Sequence, residues 1–237
     1  MNKAIILAAG RGRRLKKYHN KPKCLLKFGK QKISIIERLY DILNKKKFSD
    51  IVVVTGYKNN QIKNILGNQV RYINFRNYKN TNNLQSLLFA KNEMREGFLC
   101  FFSDLIFDET IIDKIIKKKD DFCLVVDTKR ILKGTMRFKK YKNQITDMGN
   151  HLSVTNGDGN FIGISKFSNR GALVLKKYLI EERKNRKDYY TIVFKKMYND
   201  GKKIDFFDCK KYFWKEIDTY KDLCDMQKII KKGTFKY

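Results

Sequence analysis

The sequence predicts an α/β fold: a mixed, mainly parallel sheet flanked by helices. Three observations carry that expectation. Residues 4–8 form an unbroken apolar run, the pattern of a strand buried on both faces of a parallel sheet. Comparable runs recur at 49–56 and 97–102, with stretches of helical spacing between them. The chain has 237 residues, 42% hydrophobic and 13% aromatic, enough to bury a sizeable core as one unit.

Taken in order, strand 4–8 runs into Ala9-Gly10-Arg11-Gly12, where glycines let backbone N–H groups approach a ligand closely. Arg13 and Arg14 follow at the mouth of a helical turn, a place suited to phosphate. A strand feeding such a loop reads as a nucleoside triphosphate site. Residues 33–43 carry Ile35, Ile36, Leu39, Tyr40 and Leu43 at helical spacing. A second buried strand (49–56), a short helix (61–66) and a third strand (69–74) complete a doubly wound, Rossmann-like pattern. The polar cluster 80–86 offers helix caps and leads into a helix through about 94. Strand 97–102 ends in Ser103-Asp104, a carboxylate at the carboxyl end of a buried strand, where open α/β sheets bind ligands.

Residues 108–118 read as an amphipathic helix and 122–127 as a fifth strand. From about 128 the rhythm changes to short strands at 136–138, 144–146 and 160–165, with a turn at 156–159. This predicts a small antiparallel, acceptor-binding lobe over the mouth of the site. Helices are expected at 171–183, 190–198 and 220–230, a strand at 203–208, and a loose end at 233–237. With one proline and no repeat, the chain reads as a single domain, residues 1–127 serving the nucleotide and 128–237 the acceptor and the metal.

Composition narrows the function classes. No apolar run reaches the roughly 18 residues of a membrane span, and no signal peptide is read at the start, so a cytoplasmic protein is expected. Five cysteines without a CxxC pair read as reduced, mostly buried hydrophobes rather than a zinc site. The two histidines, His19 and His151, sit in no dyad motif and are expected at the surface. The net charge of +29 invites a polyanionic partner, but the lysines are scattered in small groups along the chain, as on a solvated surface. No specific nucleic acid is expected, and a homodimer stays open.

Three separated pieces, Leu7-Ala-Ala-Gly-Arg-Gly-Arg-Arg-Leu15 with Pro22-Lys23, Ser103-Asp104, and Glu216-Ile-Asp218-Thr219, together resemble the sugar-phosphate nucleotidyltransferase superfamily. Its signature is LAAGxGxRL followed by PK, a mid-chain Asp and a late Asp. The resemblance implies catalytic roles for Arg14, on the β- and γ-phosphates, and Lys23, on the α-phosphate and acceptor. It implies a nucleotide loop of Leu7, Ala8, Ala9, Gly10, Arg11, Gly12 and Arg13, and Mg²⁺ held by Asp104 and Asp218. The stretch 80–87 resembles the choline-phosphate and aminoethylphosphonate cytidylyltransferase branch, which implies CTP as donor, a base pocket of Asn82, Asn83 and Ser86, and a small phosphorylated or phosphonate acceptor. Arg137, Asn160, Tyr189, Trp214 and Glu216 are the acceptor-binding candidates; Tyr190 and Tyr212 could add aromatic faces. The basic stretch 129–137 tilts the acceptor toward an anionic or neutral polar group.

The chain departs from the pattern at Arg13, where relatives carry Ser or Thr, at Ser103, and at Asn160, where the branch has Glu. A sugar-1-phosphate uridylyl- or thymidylyltransferase and a polyanion-binding protein that keeps the fold are the alternatives. Asp104→Ala or Asp218→Ala should abolish triphosphate turnover with circular dichroism unchanged. Retention on DNA or anionic vesicles above about 0.2 M salt, where counterion-driven contacts fade, would favour the polyanion reading instead.

Overall fold

A computed structural model describes residues 1–15, 17 and 20–237. The predicted His19 surface position lies outside them. The chain begins with β1 (Lys3–Ala8), a short hairpin of β2 (Lys27–Phe28) and β3 (Ile33–Ser34), and α1 (Ile35–Lys45). It continues through β4 (Asp50–Thr55), α2 (Asn59–Leu66), β5 (Arg71–Asn74), α3 (Asn83–Phe89), β6 (Phe98–Phe102) and β7 (Leu105–Phe107). Next come α4 (Thr110–Ile116), β8 (Phe122–Asp127), β9 (Arg137–Tyr141), β10 (Gln144–Gly149) and β11 (Gly159–Phe167). The chain closes with α5 (Asn169–Glu181), α6 (Val193–Asn199), β12 (Asp205–Asp208), β13 (Trp214–Glu216) and α7 (Tyr220–Lys231).

The main sheet runs β10-β9-β11-β6-β1-β4-β5, with β8 and β12 joined through β11. β1, buried at every residue, lies parallel to β4 on one side and β6 on the other. Burial on both faces explains its unbroken apolar run, and two cores form there. Ile5 and Leu7 face one with Val52, Val54 and Leu87; Ala4, Ile6 and Ala8 face the other with Leu39, Leu43 and Val53. The alternation follows from the period of two along a strand. Ser34 begins α1 with a capping box: its hydroxyl accepts from Glu37 N and its own N–H donates to Glu37 Oε2 at 2.8 Å.

The antiparallel segment is continuous with the main sheet. β11 pairs antiparallel with β6, β8 and β9, so β9 and β10 extend one end of the sheet. The helix expected to follow the polar cluster through about 94 stops at Phe89, and a 3-10 turn, Lys91–Glu93, follows. The one expected at 190–198 opens with a 3-10 turn before α6. At 108–118 the helix shortens to α4, and ahead of it Asp108 Oδ1 accepts from Thr110 N at 2.9 Å. The chain end, expected to be loose, is anchored: the Phe235 ring stacks 4.3 Å from that of Phe213 and Tyr237 lies 5.5 Å from Phe28. Arg38 sits over both terminal rings, 5.2 and 5.3 Å from their centroids. All five cysteines are unpaired and four are buried, and His151 is exposed beside Asp147 at 3.0 Å. No described helix is long and apolar enough to cross a membrane.

One joint ties β8 to α5. Ser168 N donates to the Asp121 carbonyl at 3.0 Å, and Ser168 Oγ donates to the Asp121 carboxylate while accepting from Gly171 N. A Cβ on Gly171 would sit 2.1 Å from that carbonyl. Gly171→Ala should therefore cost about 1–3 kcal/mol in urea denaturation, although alanine is the better helix former. Burial alone would raise the Asp121 carboxyl, but hydrogen bonds from Arg170 and Ser168 hold it below the ordinary aspartate range. Its stabilising contribution is present above that range and lost as pH falls through it. Wild-type stability should drop between about pH 5 and 3 more steeply than that of Asp121→Asn.

Candidate active site

A cleft of about 610 Å³ opens at the carboxyl ends of β1 and β6. Its first wall is the loop leaving β1. Leu7, Ala8, Ala9 and Gly10 line it, with side chains small enough from Ala8 onward to expose backbone. Gly10 has nothing within 4 Å of where a Cβ would be, whereas Gly12 has φ +57° and would place a Cβ 2.5 Å from Lys23 Cγ. Gly12 is thus required twice, for its left-handed backbone and for the passage of the Lys23 stem. Arg13–Leu15 then form one 3-10 turn, closed by Leu15 N to Gly12 O at 3.0 Å. Pro22 opens the next turn, Lys23–Leu25, with φ −52°.

Lys23 Nζ contacts the carboxylates of both Asp104 and Asp218, and Arg14 Nη2 reaches Asp218 Oδ2 at 2.7 Å. The two aspartates meet because β7 and β13 pair antiparallel, Leu105 opposite Glu216, and Ile217 N donates to Asp104 O at 2.9 Å. Asp218 also stands just ahead of α7, where the helix N-terminus favours a negative charge; the Thr219–Asp222 capping box fixes that end. Behind the charges lies a third core of Leu15, Leu26, Phe28, Ile35, Ile106, Ile217 and Met226. Leu15 adjoins Arg14 and Ile217 separates Glu216 from Asp218, so this apolar cluster sets where the charged side chains emerge.

Glu216 joins the two aspartates: one oxygen from each of Asp104, Glu216 and Asp218 lies within 4.8 Å of the others. Burial and repulsion from Asp104 and Asp218 push the Glu216 carboxyl up to about 8. Burial alone would lower the Lys23 ammonium, but the two aspartates outweigh it and hold it above the usual lysine value. Lys23 and Arg14 match the charges of Asp104 and Asp218, and Glu216 adds a third carboxyl to the group. Oxygen donors so grouped fit a hard divalent cation such as Mg²⁺. Glu216, expected on the acceptor, belongs with this cluster. Positions two apart on an extended segment share a face, a signal that Glu216-Ile-Asp218 already carried.

The opposite wall consists of Tyr78, Lys79, Asn80, Thr81, Asn82, Asn83 and Ser86. Asn82 is engaged as a cap and strap: Oδ1 accepts from Asn83 N at 2.8 Å and Nδ2 donates to Lys187 O at 3.2 Å. Asn83 Oδ1 accepts from Tyr190 N at 2.9 Å. Arg11 and Arg13 line the mouth, and Tyr189 enters beside Asn82 and Asn83. The other acceptor candidates do not reach the cleft. Arg137 donates to the carbonyls of Leu152 and Leu132. Asn160 is fully buried and bonded to Leu132 N and Arg130 O. Trp214 is buried with Nε1 on Asp127 Oδ2 at 2.9 Å. Tyr190 is a core residue bonded to Ser165 and Tyr212 packs on Phe207. No residue of 128–186 lines the cleft, which removes the basic 129–137 stretch as a guide to the acceptor. Sequence reasoning passed over Tyr78, Lys79 and Lys187; the first two follow β5, whose carboxyl end was the available signal.

The fold and the cleft together define a nucleotidyltransferase. Residues 4–142 match the MobA-like NTP transferase domain, and the chain belongs to that family. It is 28% identical over 190 residues to the CTP:phosphoglutamine cytidylyltransferase of Campylobacter jejuni subsp. jejuni, covering 70% of this chain and 72% of that one. It is 33% identical over 109 residues to the choline-phosphate cytidylyltransferase of Streptococcus pneumoniae, 44% of this chain and 46% of that relative. The inositol-1-phosphate CTP transferase of T. maritima shares the fold at a TM-score of 0.76 and 19% identity, over 98% of this chain and 97% of that one.

The two loop glycines separate under substitution. Gly12→Ala should destabilise the ligand-free protein by about 1–2 kcal/mol through its left-handed backbone. Gly10→Ala should leave the urea midpoint unchanged, since its Cβ meets open space.

Proposed function

We propose that the protein is a Mg²⁺-dependent cytidylyltransferase that transfers CMP from CTP to a small phosphorylated or phosphonate acceptor and releases pyrophosphate. The observation that carries the reading is Lys23, held between Asp104 and Asp218 beside the glycine–arginine loop. Both curated relatives reported above are cytidylyltransferases, which favours CTP over UTP or dTTP. The two act on different acceptors, phosphoglutamine and choline phosphate. Of Tyr189, Tyr190, Tyr212 and Trp214, whose rings could face a quaternary ammonium, Tyr189 alone lines the cleft, and Lys187 adds a cation there. This supports an acceptor with an anionic or polar group beyond its phosphate.

The reaction is a single in-line displacement. An acceptor phosphate or phosphonate oxygen bonds to the α-phosphorus of CTP, the bond to the bridging oxygen breaks, and that oxygen leaves with pyrophosphate. Two anions must meet, so positive charge around the α-phosphate is the main requirement. Lys23 supplies it on the side of attack, and Arg14 steadies the β- and γ-phosphates. Amides of the loop 10–13 cradle the remaining oxygens, and Asn83 and Ser86 face the pyrimidine. Asp104, Asp218 and Glu216 would hold the metal, whose chemistry is to neutralise phosphate charge. No nucleophilic Ser or Cys dyad is called on: Cys24, the cysteine nearest the site, has its thiol pushed up to about 12 by burial and Asp104. In this reading the protein works in the cytoplasm and makes a CMP- or CDP-linked precursor for a surface glycan, lipid or phosphonate. Residues 1–127 serve the nucleotide, and from 128–237 Lys187, Tyr189, Glu216 and Asp218 complete the metal and acceptor side.

Pyrophosphate release should appear with CTP, Mg²⁺ and a member of a panel of small phosphates and phosphonates, and vanish with EDTA. Lys23→Ala and Arg14→Ala should each lower kcat/KM by about 10²–10³-fold. Turnover of UTP or dTTP with sugar 1-phosphates and none of CTP would overturn the donor assignment.

A further inference from the structure

Adjacent arginines at the mouth of the cleft point to different partners. Arg14 goes to Asp218. Arg13 goes to the other wall, where its Nη2 donates to the Lys79 carbonyl at 3.0 Å. We propose that Arg13 is a positioning residue for the nucleobase half of the cleft, bracing the turn of residues 78–80 against the glycine loop rather than serving as a phosphate ligand. The proposal rests on the nucleotide-site reading above and extends it to a side chain with no role in the transfer.

The turn needs such a brace. Tyr78–Asn80 is a single 3-10 turn with no side-chain cap, outside the sheet, yet it forms the wall opposite the loop. Its near end leans on the loop through apolar contact. Tyr57 N donates to Ala9 O at 3.1 Å, the Tyr57 ring lies edge-on to Tyr78 at 6.2 Å, and a Cβ on Gly56 would come within 2.9 Å of Tyr78 Cδ1. Its far end is tied away from the loop, where Asn82 N donates to Arg186 O at 2.9 Å. Between them, the Arg13 guanidinium spans the mouth. A hydrogen bond from a charged donor is about twice as strong as a neutral one, and it fixes the separation of the two walls. That separation is the slot a flat base must enter. Arg11 is used in the same direction, its guanidinium 5.9 Å from the Tyr57 ring.

Titration calorimetry on the full-length chain with CMP, CTP and inorganic tripolyphosphate separates bracing from phosphate binding. If Arg13 braces the wall, Arg13→Ala should weaken CMP and CTP equally, by about five- to tenfold, the range of one hydrogen bond exposed to solvent. Tripolyphosphate affinity should not change. The steady-state loss should fall on KM rather than kcat, and Arg13→Lys, which keeps one charged donor, should restore most of the affinity. A loss on CTP and tripolyphosphate with CMP unaffected would make Arg13 a phosphate ligand and overturn the proposal, as would no loss at all. A wild-type protein that binds UMP and UTP in place of the cytidine pair would overturn the donor assignment alone. The same comparison made with those nucleotides would then decide Arg13.

Discussion

The ammonium of Lys23, shared between Asp104 and Asp218, joins three stretches of chain that are far apart in sequence. Taking an ion pair out of water costs several kcal/mol per charge, and good geometry only offsets that cost. The clasp is therefore weak as a source of stability and strong as a source of position. It also holds apart carboxylates that would otherwise repel, in a group where Glu216 is already driven toward its neutral form. Three carboxyl groups brought so close offer the oxygen donors that a hard divalent cation prefers.

What makes the clasp affordable is the apolar cluster behind it. Leu15, Leu26, Ile106 and Ile217 are almost fully buried, and each lies within three residues of a charged member of the site. Burying side chains of this kind contributes about 1.5–3 kcal/mol each relative to exposure, which offsets the desolvation of the charges. The anchored C-terminal residues extend the same cluster through Phe235 and Tyr237. Apolar packing thus supports the site from beneath, while at the rim Arg13 meets the Lys79 carbonyl through one exposed hydrogen bond.

The +29 charge gains a plainer meaning in three dimensions. Much of it is scattered lysine on the surface, and the cations with defined partners do structural work. Lys3 meets Asp50, Glu93 and Glu96 at the amino end of the sheet, where Arg71 joins Asp50 and Glu93. At the cleft, Arg11, Arg13, Arg14, Lys23, Lys79 and Lys187 converge on one opening.

The chain alone determined the longer buried strands and the loop, but not the short pairs β2–β3 and β7–β13. Residues 4–8 could only be a strand buried on both faces, because an unbroken apolar run of that length has no polar face to turn to water. Gly10, Gly12 and Arg14 announced an anion site by the chemistry of short-range backbone and side-chain groups. Asp104 was legible from its place at the end of β6. The tertiary structure decided what depends on contacts between distant residues. It paired β7 with β13 and so drew Glu216 into the carboxylate group. It carried Arg137, Asn160 and Trp214 into internal hydrogen bonds away from the cleft, and it turned Arg13 away from Arg14. A polar side chain's type says what it can bind; its burial and the carbonyls around it decide whether anything is left to bind with.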